Sequence, residues 1–150
     1  MKIITTNKRA YHRFKVLDTL EAGIELRGAE IKSIRGGRVS LGSSYVTVRA
    51  GEAYVIGMRI DPYPKAPGDA FDPDRSRRLL LKKSQIASLV RQDERKGVAI
   101  VPLKLYLKRG IAKVELGICK GKSKKDRRDE LKRRAMERDA ERALKEQFKE

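Results

Sequence analysis

Leu20-Glu21-Ala22-Gly23-Ile24-Glu25-Leu26-Arg27-Gly28-Ala29-Glu30-Ile31-Lys32-Ser33-Ile34-Arg35-Gly36-Gly37-Arg38 compresses a strand end, a second short strand and a short helix into one stretch. Gly23 has no Cβ to clash at positive φ, so it is expected to reverse the chain sharply between the two strand segments. Gly28 then interrupts the strand pattern. Ile31 and Ile34 recur at i and i+3, which predicts a helix over 29–35 with one buried side. Lys32, Arg35 and Arg38 lie on or just past that helix, where a solvated face and an anion contact fit equally well.

On the N-terminal side, residues 1–9 are short and polar and are expected to be loose at the tip. From Tyr11 to Leu20 the pattern alternates imperfectly, with Phe14, Val16 and Leu20 opposed to Lys15 and Thr19, as in a half-buried strand. On the C-terminal side, Tyr45–Arg49 is a β-branched run that turns at Ala50-Gly51-Glu52 and returns from Ala53 to Ile60 as a hairpin. Pro62, Pro64, Pro67 and Pro73 make residues 61–76 a long irregular loop, a kind that more often carries function than merely connects. Ser84 is expected to cap a second helix with Ile86, Leu89 and Val90 as its buried stripe, stopped by Gly97. Strands over 98–107 and 111–119 follow, joined at Lys108-Arg109-Gly110. Pro102 lacks an N–H, so it marks an edge or a bulge. Together these elements predict a mainly β fold: a small antiparallel barrel of the oligonucleotide-binding (OB) type with two or three flanking helices and a basic C-terminal tail. A small α+β sheet is the alternative.

The 150 residues are one domain's worth and enough for a real core. Lys and Arg number 37 against 20 Asp and Glu, a net charge of +17. Such a surplus repels itself in the folded state and suits a polyanionic partner, with RNA, DNA and anionic lipid all open. No apolar run reaches the length of a membrane span, and the start has no signal-peptide core. A single cysteine, Cys119, excludes an internal disulfide and fits a reducing, cytoplasmic compartment. His12 is the only histidine, so neither a nucleophile–histidine pair nor a zinc site is expected. Gly117 to Ser123 resembles a P-loop only superficially, with one residue too few between its glycines. The sequence therefore points away from catalysis, metals and cofactors.

Basic clusters beside aromatic rings remain: Lys8-Arg9 with Tyr11, Arg75-Arg77-Arg78 after Phe71, Lys108-Arg109 after Tyr106, and the start of the tail. Guanidinium groups grip phosphates through paired donors, and rings stack exposed bases. Aromatics are only 5% of the chain, so phosphate and shape contacts are expected to dominate. The chain divides into a body, 1–120, and a tail, 121–150. In the tail Leu131, Met136, Leu144 and Phe148 scatter around a helical wheel. Residues 121–136 carry 8 basic and 3 acidic groups, so the positive charge is concentrated at the tail's root. Helix formers without an apolar face predict a segment that is disordered alone and folds on a partner.

Asn7-Lys8-Arg9-Ala10, Glu21-Ala22-Gly23-Ile24, Glu30-Ile31-Lys32-Ser33-Ile34-Arg35, Ser44-Tyr45-Val46, Asp72-Pro73-Asp74-Arg75-Ser76-Arg77-Arg78-Leu79-Leu80-Leu81, Val101-Pro102-Leu103-Lys104-Leu105-Tyr106 and Lys120-Gly121-Lys122 occur in this order. Together they closely resemble the SsrA-binding protein (small protein B) family, from about residue 7 to residue 145. The resemblance implies an OB-type barrel that binds the tRNA-like domain of transfer-messenger RNA (tmRNA). It implies a non-enzymatic partner that stands in for a tRNA anticodon arm, enters the small-subunit decoding region and mRNA path of stalled ribosomes, and supports trans-translation. Asn7, Glu21 and Leu80 fall where the family's RNA-facing residues lie, with Lys8 and Arg9 beside the first. Lys32, Arg35, Arg75, Arg77 and Arg78 are the basic neighbours added on physical grounds. A carboxylate such as Glu21 suits an RNA surface because it accepts from base amino groups. The same resemblance implies a tail that becomes helical on the ribosome through Lys122, Lys124, Lys125, Asp126, Arg127 and Arg128. Family members often carry His or an aromatic where Lys125 stands, so a phosphate contact is expected there in place of stacking. On composition alone, a generic single-strand or ribosomal RNA-binding module also fits. A membrane binder fits poorly, because the tail has no apolar face.

Overall fold

The computed structural model describes residues 1–62 and 71–147. In chain order the elements are β1 (Lys2–Thr6), α1 (Lys8–Arg13), β2 (Phe14–Ile24), α2 (Gly28–Arg35), β3 (Val39–Ser40), β4 (Tyr45–Arg49), β5 (Glu52–Ile56), β6 (Arg59–Ile60), β7 (Arg77–Leu80), α3 (Lys83–Asp93), β8 (Val98–Lys108), β9 (Ile111–Gly121) and α4 (Lys124–Gln147). Seven strands form one antiparallel sheet in the order β1-β8-β9-β2-β7-β5-β4, and β3 pairs with β6 separately. The fold is thus mainly β, with three short helices around the sheet and a long C-terminal one.

The two hairpins follow from their turn residues. Ala50 and Gly51 take φ of 50° and 76°, and Arg109 and Gly110 take 53° and 77°. Two consecutive left-handed residues match the twist of a tight hairpin. Pro102 sits in β8, between β1 and β9, and the register slips between Pro102 and Lys104. Of the two roles open to that proline, the structure selects the bulge.

Several expectations are corrected. Gly23 does not turn the chain, because β2 runs unbroken through it, opposite Leu80 on one side and Lys113 on the other. A Cβ at Gly23 would stand 3.1 Å from the Leu80 Cβ, so the glycine serves close approach between strands. The N-terminus is not loose: β1 pairs with β8, and α1 occupies the start of what reads as a strand. Gly57, at φ 81°, splits the return strand, so β5 ends at Ile56 and Arg59–Ile60 pairs with Val39–Ser40. Ser84 lies inside α3, which begins one residue earlier; the Lys82 N–H donates to Gln85 Oε1 at 2.9 Å instead. Ile86 and Leu89 are buried, but Val90 faces solvent. The barrel expected from the strand count is not closed by hydrogen bonds, since no ladder joins β1 to β4 among the described residues. The sheet nevertheless curls until β4 packs against β8. Of the 61–76 loop, residues 63–70, with Pro64 and Pro67, lie outside the described residues.

Inside the curl, Ile34, Val55, Met58, Ile60, Leu79, Leu105 and Leu116 form the main core. A second, smaller core lies on the opposite face, where Ala10 of α1 covers Val101, Leu103 and Cys119. Burial there pushes the Cys119 thiol up to about 11, so it stays a protonated packing group. α4 has no equivalent. Its residues favour helix, and the sequence reading of a tail without fixed structure meets a continuous helix here. Leu131, Met136 and Leu144 are each more than half exposed, so among the described residues no large apolar side chain of α4 is buried. Phe148 lies outside the described residues.

The second core is tight at Gly117, where a Cβ would lie 2.6 Å from Leu103 Cδ1. Gly117→Ala is expected to cost about 1–3 kcal/mol by overpacking. Urea unfolding would show it as a lower midpoint at unchanged slope, and an unshifted midpoint would mean that Leu103 repacks freely.

Candidate nucleic-acid interface

The basic residues expected from sequence fall into three groups with different surroundings. The first is buried. Glu30, in the first turn of α2, has no exposed side-chain surface and meets Arg75 Nη2 through Oε1 and Arg77 Nε through Oε2, each at 2.5 Å. The Arg27 N–H also donates to Oε1, at 2.9 Å. Arg77 is itself fully buried and donates to the Met58 carbonyl at 2.7 Å and the Pro73 carbonyl at 3.2 Å. Arg77 is therefore a core residue that ties β7 to α2 and to residues 72–73, and its expected place on an RNA surface is corrected. Arg75 is one-quarter exposed and spends its guanidinium on the same carboxylate. The phosphate-gripping arginine cluster read from Arg75-Ser76-Arg77-Arg78 is thus mostly a clamp on Glu30. Lys32 and Arg35, on the same helix, are exposed.

The second group lies on the outer face of the sheet. Alternation along each strand puts Lys104 and Tyr106 of β8, Lys113 and Glu115 of β9, Glu21 and Gly23 of β2, and Arg78 and Leu80 of β7 on one side. Glu21 and Leu80, 59 positions apart in sequence, are brought onto this face by β2–β7 pairing. Leu80 lies over Gly23 and remains half exposed. Glu21 accepts a short hydrogen bond from the Tyr106 hydroxyl and lies 3.7 Å from Lys108 Nζ. The Tyr106 bond, with Lys108 and Lys113 nearby, holds the Glu21 carboxyl below its ordinary range. Burial and Glu21 together push the Tyr106 hydroxyl up, so it stays a donor. Lys104 pairs with Glu115, and Arg78 with Glu25 and Glu52. This face is charge-balanced, and its polar groups are held in fixed directions.

The third group surrounds α1 and carries unbalanced positive charge. Lys8, Arg9 and Arg13 on α1, Lys15 at the start of β2 and Lys120 at the end of β9 are all exposed. Lys15 and Lys120 are directly opposite each other across the β2–β9 ladder. Like charges in that position repel, and an anion between them removes the penalty. The Lys122 N–H donates to the Arg13 carbonyl at 3.1 Å, so the root of the tail is tied to this cluster. Asn7 organises it from below. It is buried, its Oδ1 accepts from the Ala10 N–H at 3.1 Å, and its Nδ2 donates to the Pro102 carbonyl at 2.9 Å. Both ends of the amide are engaged, which caps α1 and fastens it to the β8 bulge.

Sequence reasoning named Lys104 and Lys120 only within the family motifs and assigned no role to Arg13, Lys15 or Lys113. The period-2 alternation of β8 and β9 carried the signal for Lys104 and Lys113. The Lys15–Lys120 opposition depends on register, which the sequence does not spell out. Lys125 and Arg128 are exposed on α4, while the side chains of Lys124, Asp126 and Arg127 lie outside the described residues.

A protein-family model described as SmpB protein matches residues 4–146. Among curated relatives, the SsrA-binding protein of Geobacillus kaustophilus (strain HTA426) is 47% identical over 148 residues, covering 99% of this chain and 96% of that one. The SsrA-binding protein of Gloeothece citriformis (strain PCC 7424) is 48% identical over 146 residues, covering 96% and 94%. A solved chain described by the words "tmRNA-SmpB: a journey to the center of the bacterial ribosome" superposes with a TM-score of 0.68 at 40% identity, covering 85% of this chain and 93% of that one.

Glu30→Gln is expected to destabilise the protein by about 3–5 kcal/mol at neutral pH, because it leaves two guanidinium groups without their carboxylate. Burial alone would raise the Glu30 carboxyl, but the Arg27 N–H and the two arginines outweigh it and hold it below its ordinary 4.5. A lowered carboxylate stabilises the fold fully above the unfolded value and loses that contribution as pH falls through the folded one. The gap between Glu30→Gln and the parent should therefore narrow on going from pH 7 to well below 4.5 in denaturant titrations. A gap that is constant with pH would remove the charge from the explanation.

Proposed function

This chain belongs to the SmpB protein family, and on that basis we propose that it binds the tRNA-like domain of tmRNA and delivers it to stalled ribosomes for trans-translation. The observation that carries the reading is the juxtaposition of a charge-balanced sheet face, on which both Glu21 and Leu80 lie, with an unbalanced basic cluster around α1. The first suits base and shape contacts, because Glu21 is held in one direction by Tyr106. The second suits the phosphate backbone, where unpaired Lys and Arg release counterions. Lys8, Arg9, Arg78, Lys32 and Arg35 act as exposed RNA contacts in this reading, and Asn7 acts by holding α1 in place. The curled sheet with β4 against β8 supports an OB-type barrel whose seam between β1 and β4 carries no ladder. The protein works as a binding partner rather than an enzyme, in the cytoplasm, where stalled ribosomes are.

The tail is a separate unit, 121–150, that meets the small-subunit decoding region and the mRNA path through Lys122 and the basic residues 124–128. A helix whose Leu131, Met136 and Leu144 stay open to solvent supports this reading. A segment of this kind gains its fixed position from the ribosome.

The deciding measurement is a titration of the tRNA-like domain of tmRNA against a matched elongator tRNA at physiological salt. Nanomolar affinity with a clear preference for the tmRNA fragment is expected, and equal, steeply salt-dependent binding to both would reduce the protein to a general RNA-binding module. Deleting residues 121–150 is expected to leave that affinity intact while abolishing peptide tagging of stalled ribosomes. Loss of RNA binding in the deletant would put the tail in the tmRNA interface instead.

A further inference from the structure

A cleft of about 170 Å³ opens between α1 and the turn at 42–45, floored by Ala99 and Val101 of β8. Small-molecule sites usually span about 300–1,000 Å³, so it has room for one chemical group rather than a whole ligand. Arg9 and Arg13 stand on its α1 wall, spaced i and i+4 and so on one side of the helix, where like charges repel. Neither makes an ion pair with a carboxylate among the described residues. The opposite wall is hydroxylic. Ser43 Oγ accepts from Arg9 Nη1 at 3.2 Å. Ser44 is buried to 4% exposure, lines the cleft, and its Oγ has no hydrogen-bond partner. A buried hydroxyl left without a partner is costly. Tyr45, nearly half exposed, stands at the rim.

Two guanidiniums without a carboxylate partner, one of them already bonded to the Ser43 hydroxyl, beside Ser44 in a gap of this size, match a phosphate group. We propose that this cleft holds one phosphodiester of a bound RNA strand, gripped by Arg9 and Arg13 and completed by the Ser43 and Ser44 hydroxyls. The neighbouring base then reaches the Tyr45 ring for stacking. The inference rests on the RNA-binding reading above, and it assigns a backbone subsite to Arg13, Ser43, Ser44 and Tyr45. Lys15 and Lys120 continue the positive track away from α1.

The test is filter binding of the full-length protein to the tRNA-like domain of tmRNA and to a generic single-stranded RNA across a salt series. Arg9→Gln/Arg13→Gln should lower affinity for the tmRNA fragment about tenfold and flatten the salt slope by roughly one to two contacts. Both side chains are exposed and glutamine is a good helix former, so the variant should melt with the parent. Ser44→Ala should weaken binding less and leave the slope unchanged. Phosphate-ethylation interference should reveal a position that blocks the parent and no longer matters to the double variant, a readout that mere misfolding would not produce. If the parent prefers the tmRNA fragment but the double variant keeps its affinity, slope and interference pattern, the cleft is not a phosphate site and the tmRNA reading stands. If the parent shows no preference, that reading falls, and the slope difference on generic RNA still decides the cleft.

Discussion

The Glu30 carboxylate is the point on which the architecture turns. It sits with no exposed surface at the start of α2, between the guanidiniums of Arg75 and Arg77. A charge taken out of water is expensive, and it is tolerated only when every lone pair is engaged. Here two arginines and the Arg27 N–H engage it, and Arg77 is engaged in turn by the carbonyls of Met58 and Pro73. One network thereby locks α2, β7 and the residues around the 58 and 73 positions into a single arrangement. Such a network contributes uniqueness of fold more than net stability. An apolar replacement could fill the volume but would not dictate which strand start meets which helix.

β7 leaves that clamp with its alternation already set. Arg77 and Leu79 point inward, so Arg78 and Leu80 must point outward. The outward phase delivers Leu80 onto Gly23, and the absence of a Cβ there lets the two strands approach. The clamp inside thus fixes the composition of the face outside. The same logic operates at the other end of the sheet. The bulge at Pro102 frees a carbonyl, Asn7 takes it, and α1 is fastened over the small core of Val101, Leu103 and Cys119. The exposed cations of α1 are then held against the ends of β2 and β9.

The electrostatics separate two kinds of surface that net charge alone merges. On the outer sheet face the lysines and arginines are largely answered by Glu21, Glu25, Glu52 and Glu115, which orients polar groups without attracting a polyanion from afar. Around α1, Lys15 faces Lys120 and Arg9 is spaced i, i+4 from Arg13, arrangements that raise the energy of the free protein. A +17 chain is expected to place its unpaid repulsion where a partner relieves it, and the cluster at α1 is such a place.

Periodicity and turn chemistry are local, so the hairpins at Ala50-Gly51 and Arg109-Gly110, the helix over Ile31 and Ile34, the Pro102 irregularity and the mainly β class were legible from the residues. So were the lack of an apolar face on the tail and the ordered motifs that mark the family. What stayed hidden depends on pairing between distant segments. Gly23 reads as a turn until Leu80 is brought against it. Arg77 reads as a surface cation until Glu30, 47 positions earlier, is found beside it in the core. Asn7 reads as a polar contact until Pro102 accepts its amide. Burial and register are properties of two strands at once, and neither strand states them alone.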